Sequence, residues 1–449
     1  MAIPSIYASI RTFTLLFVDA YLDIDRIQST LDTDKSKILD VAACHFNIGQ
    51  AEEKLGEIPQ AIASYRKFLS VALSQIGPDH PHISNVMLNV GQLYYDLKNL
   101  HEARNFLSQA VKCAILIHGP KHIMVATANN KLGNIHYDQC GFDLALDAYK
   151  TGLAIERLHY PPCDENVTIT LLNIARVLER KQENKEALEL YSEVLLSKQQ
   201  KQNEEGASNV LAKIGSLCDL LGEYALASRA FRETAEVQRI SETCQQSLLP
   251  PTLNALGIAL SKVGLFNSAL SPFAEAIEIY NSSNDSCPTE ILRTYSNTAT
   301  VYKYIGDTKK ALQFYKKTLQ LEQSSNQGVE HVREVATLHH QIGMLLKESR
   351  ETQESCQFLK DSFQIYMDHP NDIGRGQAFR IVKDLGEIYV LMGDIQGALE
   401  TYSVALTTFR PSDADANDEE ITLDSQLMSI YFFRERYHQL RLQLSWVGM

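Results

Sequence analysis

Leu132-Gly133-Asn134-Ile135-His136-Tyr137 is followed by Cys140 and then by Ala145-Leu146-Asp147-Ala148-Tyr149. Gly133, which lacks a side chain, is answered twelve positions later by another small residue, Ala145, and sixteen positions later by an aromatic, Tyr149. Two antiparallel helices approach closely only where side chains are absent or small, so Gly133 and Ala145 mark a helix crossing. Residues four apart are neighbours on a helix, which puts Tyr149 on the face of Ala145, filling the space towards the adjoining helices.

The same spelling recurs along the chain. The small position of the first helix falls at Gly49, Gly91, Gly133, Ala175, Gly215, Gly257, Ala299, Gly343 and Gly386, with spacings of 42, 42, 42, 40, 42, 42, 44 and 43. Twelve residues on stand Ala61, Ala103, Ala145, Ala187, Ala227, Ala269, Ala311, Ser355 and Ala398. Sixteen on stand Tyr65, Leu107, Tyr149, Tyr191, Phe231, Phe273, Tyr315, Leu359 and Tyr402. Nine matches at a nearly constant period identify a repeat array. Seven residues after the small position, Gly56, Gly222, Gly264, Gly306 and Gly393 occupy a turn where the chain leaves the first helix in a left-handed conformation. Lys98, Cys140, Gln182 and Arg350 stand at the same place without glycine's freedom, at a cost in turn stability.

A helix–turn–helix unit with these small and aromatic positions resembles the tetratricopeptide repeat. Its common period is shorter, and the longer period here narrows the resemblance to the kinesin light chain and related long-repeat proteins. The link Ile76-Gly77-Pro78-Asp79-His80-Pro81-His82-Ile83, leading into Leu88-Asn89-Val90-Gly91, is similar to light-chain links, and His118-Gly119-Pro120-Lys121-His122 is a weaker copy. Later links at Tyr160-Pro161-Pro162, Leu249-Pro250-Pro251 and Cys287-Pro288 keep only a helix-stopping proline. The resemblance implies an all-α fold: an α-solenoid of antiparallel helix pairs in a right-handed superhelix, with about nine repeats and terminal capping helices.

Residues 42–410 are assigned to the nine repeats and residues 1–41 to an N-terminal amphipathic or capping helix, centred on Ile6 to about Leu31. Light chains carry a heptad-repeat region ahead of their array; residues 1–41 show no sustained heptads. Residues 411–420 are an acidic loop read as a solvated connector, and residues 421–449 a C-terminal capping helix with Trp446 packed at that end.

Composition narrows the class of function. The chain has 449 residues, 45% of them hydrophobic, and 42 basic against 55 acidic residues give a net charge of -13. Phosphate neutralisation needs clustered Lys and Arg, so a nucleic-acid partner is not expected. The apolar run Phe13 to Val18 is too short to span a bilayer, so membrane insertion is not expected either. Eight scattered cysteines, none in a C-x-x-C pair, point to reduced thiols in a cytoplasmic protein. There is no Walker loop and no G-x-G-x-x-G. His101-Glu102 lacks the second histidine of a zinc-protease helix, and the adjacent His339-His340 point apart on a helix. Neither a cofactor, a metal nor a catalytic set is called for, and the chain reads as non-enzymatic.

Function is then expected on the helix that carries the small residue, which the resemblance places on the concave side. Side chains three before, one after and four after the small residue are expected to face that groove, and the resemblance adds asparagine just before it. The candidates are Asn47, Asn89, Asn130, Asn134, Asn173, Asn254 and Asn297, which either hydrogen-bond an extended peptide or bond between neighbouring helices. Arg176 either pairs with a carboxylate of an acidic peptide or with Glu179 or Glu183 on its own helix. Tyr95, Tyr137 and Lys303 occupy the later groove position. The carboxylate clamp of chaperone-binding tetratricopeptide domains is not matched, because no Lys or Arg follows Gly49 or Gly91 at the next position. The expectation is a scaffold or adaptor that binds a peptide or protein in its groove. Two narrower readings stay open: a light-chain-like cargo adaptor on a motor complex, and a regulatory sensor array acting on a separate effector.

Overall fold

The computed structural model describes residues 35–76, 80–240, 247–282, 288–324, 328–369, 375–408, 435–436 and 438–442. Among them there are eighteen α-helices in chain order and no strand. The odd-numbered helices are the first of each pair: α1 (Lys35–Lys54), α3 (Pro81–Asp96), α5 (Ile123–Asp138), α7 (Glu165–Arg180), α9 (Glu204–Leu220), α11 (Leu249–Val263), α13 (Pro288–Ile305), α15 (Gly328–Glu348) and α17 (Arg375–Leu391). The even-numbered helices are the second: α2 (Ile58–Val71), α4 (Leu100–His118), α6 (Phe142–His159), α8 (Asn184–Gln200), α10 (Tyr224–Ile240), α12 (Phe266–Ser282), α14 (Thr308–Ser324), α16 (Thr352–Asp368) and α18 (Ile395–Thr408). The fold is the all-α helix-pair array expected of tetratricopeptide repeats.

The chain divides into two units between Leu221 and Gly222. Within each unit every helix packs on the next, and first helices also touch across a repeat: α3 meets α5, α11 meets α13 and α15 meets α17. One cluster in the first unit runs from Ala42 through Tyr65, Phe68, Val86 and Leu107 to Ile135. Another runs from Ala145 and Tyr149 through Leu171 and Tyr191 to Leu217.

The crossing rule takes a sharper form than the sequence suggests. A Cβ added at Gly133 would stand 2.6 Å from Tyr149 Cε1, and one at Gly91 would stand 2.6 Å from Leu107 Cγ. The residue sixteen positions on therefore lies directly on the glycine, not only beside it. The residue twelve positions on faces the same backbone: the Ser355 hydroxyl, where the other repeats have alanine, donates to the Gly343 carbonyl at 2.7 Å. In the second unit Tyr402 covers Gly386 in the same way, and Leu440 is buried beside Tyr402, Val382 and Leu399.

Turns behave as expected. Gly56, Gly222, Gly264, Gly306 and Gly393 all have positive φ, and so do Lys98, Cys140, Gln182 and Arg350, at 62°, 58°, 63° and 63°. The following amide reaches back across the turn, as Gly141 N–H donates to the His136 carbonyl at 2.8 Å and Glu351 N–H to the Leu346 carbonyl at 2.9 Å. The prolines differ from expectation. Pro81, Pro250, Pro251 and Pro288 stand in the first turn of a helix, where a missing N–H costs nothing, so they start helices more than they stop them. The expected N-terminal helix, the acidic loop at 411–420 and Trp446 lie outside the described residues.

Candidate functional site

Three consecutive first helices of the first unit, α3, α5 and α7, build a polar recess of about 320 Å³. Tyr95 comes from α3, Asn134, Tyr137 and Asp138 from α5, and Ile169, Asn173 and Arg176 from α7; the Tyr149 hydroxyl enters from α6. Five of the sequence candidates therefore converge: Tyr95, Asn134, Tyr137, Asn173 and Arg176. They occupy positions two before, one after and four after the small residue of their repeats.

Several of these side chains are held by their own contacts. The Tyr95 hydroxyl donates to Asp138 Oδ2 at 2.7 Å, linking α3 to α5. Burial and that carboxylate push the Tyr95 phenol up to about 12, so it stays a neutral donor. The Tyr149 hydroxyl donates to Asn134 Oδ1 at 2.6 Å. The Asn134 carbonyl is thereby used, and its two Nδ2 hydrogens remain for a ligand. Arg176 is exposed and lies over the Tyr137 ring, 5.1 Å from its centroid. Tyr137 is braced edge-on by Phe142 at 5.9 Å, and Arg180 covers Phe142 at 6.0 Å.

The partners expected for Arg176 are engaged elsewhere, and Glu183 is not on its helix as expected but beyond the end of α7, at the cap of α8. Glu179 pairs with Lys213, and Glu183 with Lys181. Among the described residues Arg176 makes no ion pair and the Asn173 amide makes no hydrogen bond. The recess thus offers a guanidinium fork and two amide groups to an acceptor-rich ligand. Asp138 is the one carboxylate lining it.

The remaining candidates sit elsewhere. Asn130 and Asn254, both three before the small residue, lie between repeats instead of lining a recess. Asn130 Nδ2 donates to Glu156 Oε1 at 2.7 Å and to Thr170 Oγ1 at 2.8 Å. Asn254 is 4% exposed and accepts from Asn297 Nδ2 at 3.1 Å. Asn89 is half-buried beside the Tyr65 hydroxyl. Asn47 and Lys303 are exposed and line neither recess. Sequence reasoning missed Asp138 and Ile169, and it treated Tyr149 as a fold residue only. Asp138 is adjacent to Tyr137, and a helical face drawn one residue wider includes it.

The second unit has a recess at the equivalent repeat positions, of about 420 Å³, with a different character. Ile258, Phe266, Val301 and Tyr304 dominate its wall, with Asn297 and Lys262 as polar members. Phe266 stacks on Tyr304 at 5.2 Å. Elsewhere in that unit the histidines read as a pair point to different partners: His339 packs on Phe358, and His340 bonds Asp384 at 2.7 Å. Among the described residues there is no cluster of three metal-ligating side chains, and no helix is long and apolar enough to cross a membrane.

Residues 40–115, 87–157 and 170–205 match families described as tetratricopeptide repeat. The chain is similar to a kinesin light chain-related protein of Arabidopsis thaliana, at 22% identity over 268 residues, 60% of this chain and 35% of that protein. It is also similar to the human clustered mitochondria protein homolog, at 22% identity over 151 residues, 34% of this chain and 12% of that one. The chain spans about a third or less of the length of these curated relatives. Among solved structures, the C-terminal part of a repeat protein of the same class from Cytophaga hutchinsonii aligns with a TM-score of 0.47 at 16% identity, covering 65% of this chain and 97% of that one.

Proposed function

We propose that this chain, a tetratricopeptide-repeat protein of the long, kinesin light chain-like type, is a non-enzymatic scaffold whose first unit binds an acidic segment of a protein partner in the α3–α5–α7 recess. One observation carries the reading: Arg176 is exposed, lies over the Tyr137 ring, and makes no ion pair among the described residues. A guanidinium so placed meets a carboxylate with two parallel hydrogen bonds. Asn173 and Asn134 supply amide hydrogens to the backbone of an extended chain, an affinity source with little sequence demand. The recess volume of about 320 Å³ is near the lower end of ligand pockets, and suits one or two side chains of a longer peptide. The partner-bearing compartment is proposed to be the cytoplasm, where eight scattered cysteines with no C-x-x-C pair remain reduced.

The test is an array of short synthetic peptides of varied charge, probed with the full chain and with Arg176→Ala and Asn173→Ala variants. Acidic sequences are expected to be retained by the wild type and lost from both variants. The same retained set for all three proteins overturns the assignment. The motor-complex reading rests on similarity to kinesin light chain-related proteins, a similarity shared with the clustered mitochondria homolog. Co-purification with a kinesin heavy chain decides it, and absence of the heavy chain from the purified material rejects it.

A further inference from the structure

Two of the helices that build the recess begin in the same uncommon way. His80 precedes α3, and its Nδ1 accepts the backbone N–H of His82 at 3.3 Å. His122 precedes α5, and its Nδ1 accepts the N–H of Met124 at 3.3 Å. Such a cap requires a neutral imidazole with its proton on Nε2, because a protonated ring has no lone pair to accept with. The third helix, α7, is capped by Asp164, whose Oδ1 accepts the Asn166 N–H at 2.9 Å. A carboxylate accepts in its charged form, and a negative charge suits the positive end of a helix. An imidazolium at that end is disfavoured by the same dipole.

The surroundings of each histidine add to that penalty. His118, the last residue of α4, stacks on His122 with centroids 4.3 Å apart, and its Nε2 is buried without a partner. His159, at the end of α6, donates from Nε2 to the Lys121 carbonyl at 2.7 Å, which brings a third imidazole to the same link. His80 faces His82 at 5.4 Å and the edge of Phe68 at 6.2 Å. Burial first, and the neighbouring imidazoles second, hold both capping histidines below the ordinary histidine range. The two first turns touch, since Ser84 Oγ lies 3.8 Å from Met124 Sδ. At the far end of the same helices the Tyr95–Asp138 bond ties α3 to α5 across the recess.

We propose that His80 and His122 form a paired acid-sensitive latch: protonation below neutral pH releases both caps, loosens the docking of α3 on α5, and weakens ligand binding in the recess they share. The sign is that of a depressed pKa. The contribution of the caps is complete above the unfolded histidine value of about 6.5 and is lost as pH falls through the lower folded values. The effect on the ligand rests on the recess reading above; the release of the caps does not.

The experiment is hydrogen exchange of the full chain at about pH 7.5 and about pH 5.5, corrected for intrinsic rates, on the wild type and a His80→Asp/His122→Asp variant. Peptide segments covering the starts of α3 and α5 are expected to lose about fivefold in protection on acidification, the size of a lost N-cap. The start of α7 should hold, and the variant should stay level at all three. Equal responses of wild type and variant, or a loss at α7 as large as at α3 and α5, overturn the latch. If the variant does not fold, a histidine NMR titration of the wild type replaces it. His80 and His122 must then show the Nε2–H tautomer at neutral pH and titrate below the ordinary range, and an Nδ1–H tautomer overturns the proposal. Release of the caps without any acidic peptide binding at either pH rejects the recess reading and leaves the latch standing.

Discussion

Tyr149 lies across Gly133 and donates its hydroxyl hydrogen to Oδ1 of Asn134 at 2.6 Å, so one side chain of α6 both closes a helix crossing and orients the amide proposed to bind. The two tasks separate in Tyr149→Phe. The ring still covers Gly133, and stability should fall by only about 0.5–1.5 kcal/mol, the net worth of one hydrogen bond. Asn134 is then free to turn, and affinity for acidic peptides should drop several-fold. Thermal denaturation and fluorescence anisotropy measure the two effects. A stability loss as large as that of Tyr149→Ala would mean the hydroxyl holds the fold rather than the site.

Gly133→Leu attacks the crossing itself. Its Cβ would stand 2.6 Å from the ring that covers it, and the rest of the side chain has nowhere to go. Overpacking of this kind costs about 1–3 kcal/mol or more. Because each repeat leans only on its neighbours, hydrogen exchange should speed up most in repeats two to four. A uniform change across the described residues would contradict that.

Arg176→Ala should leave the melting temperature almost unchanged, since an exposed side chain away from the core moves stability by about 0.5 kcal/mol or less. Affinity for an acidic peptide should fall by about tenfold or more, the size of a charge-assisted hydrogen bond. Arg176→Lys should recover only part of it, because an ammonium lacks the planar fork and the stacking on Tyr137. Arg180→Ala is the control that should bind normally. Titration calorimetry on the three variants checks the order.

Glu156 responds to pH with a sign opposite to the histidine caps. It is 4% exposed, and its Oε2 is buried without a partner. Burial raises its pKa above the ordinary carboxylate value, opposed by hydrogen bonds from Thr170 and Asn130. A raised carboxyl favours the protonated folded state. Its contribution is complete below the unfolded value and is lost as pH rises through the folded one. Glu156→Gln is neutral at every pH, so it should be the more stable protein at about pH 8, by about 1 kcal/mol, with the gap closing towards about pH 4. Urea denaturation at the two pH values tests this, and a less stable Gln variant at the higher pH would reject it.

The repeat frame was almost wholly legible because its determinants are local. Gly91 with Leu107, Gly257 with Phe273 and Gly343 with Leu359 meet as their spacing implies. The four non-glycine turn residues, Lys98 among them, take the left-handed conformation their position demands. The site was legible in azimuth and not in depth. Asn130 shares a helical face with Asn134 but stands one turn nearer the start of α5, where Glu156 and Thr170 close over it. Periodicity names a face of a helix; how far the neighbours rise along that face depends on α6 and α7 together. The same limit hid Tyr149. Its ring is read correctly as packing, and only the three-dimensional crossing shows its hydroxyl emerging beside Asn134. His80 and His122 were visible in the links between repeats, but their acceptor role depends on backbone angles that no spacing encodes.

Each crossing and its closing turn are complete within one period, near 42 residues through most of the frame. A segment of that length, cut at any point, begins and ends on the same helical phase. Its tandem copying or loss at the level of the coding DNA would lengthen or shorten the array without bringing unlike surfaces together.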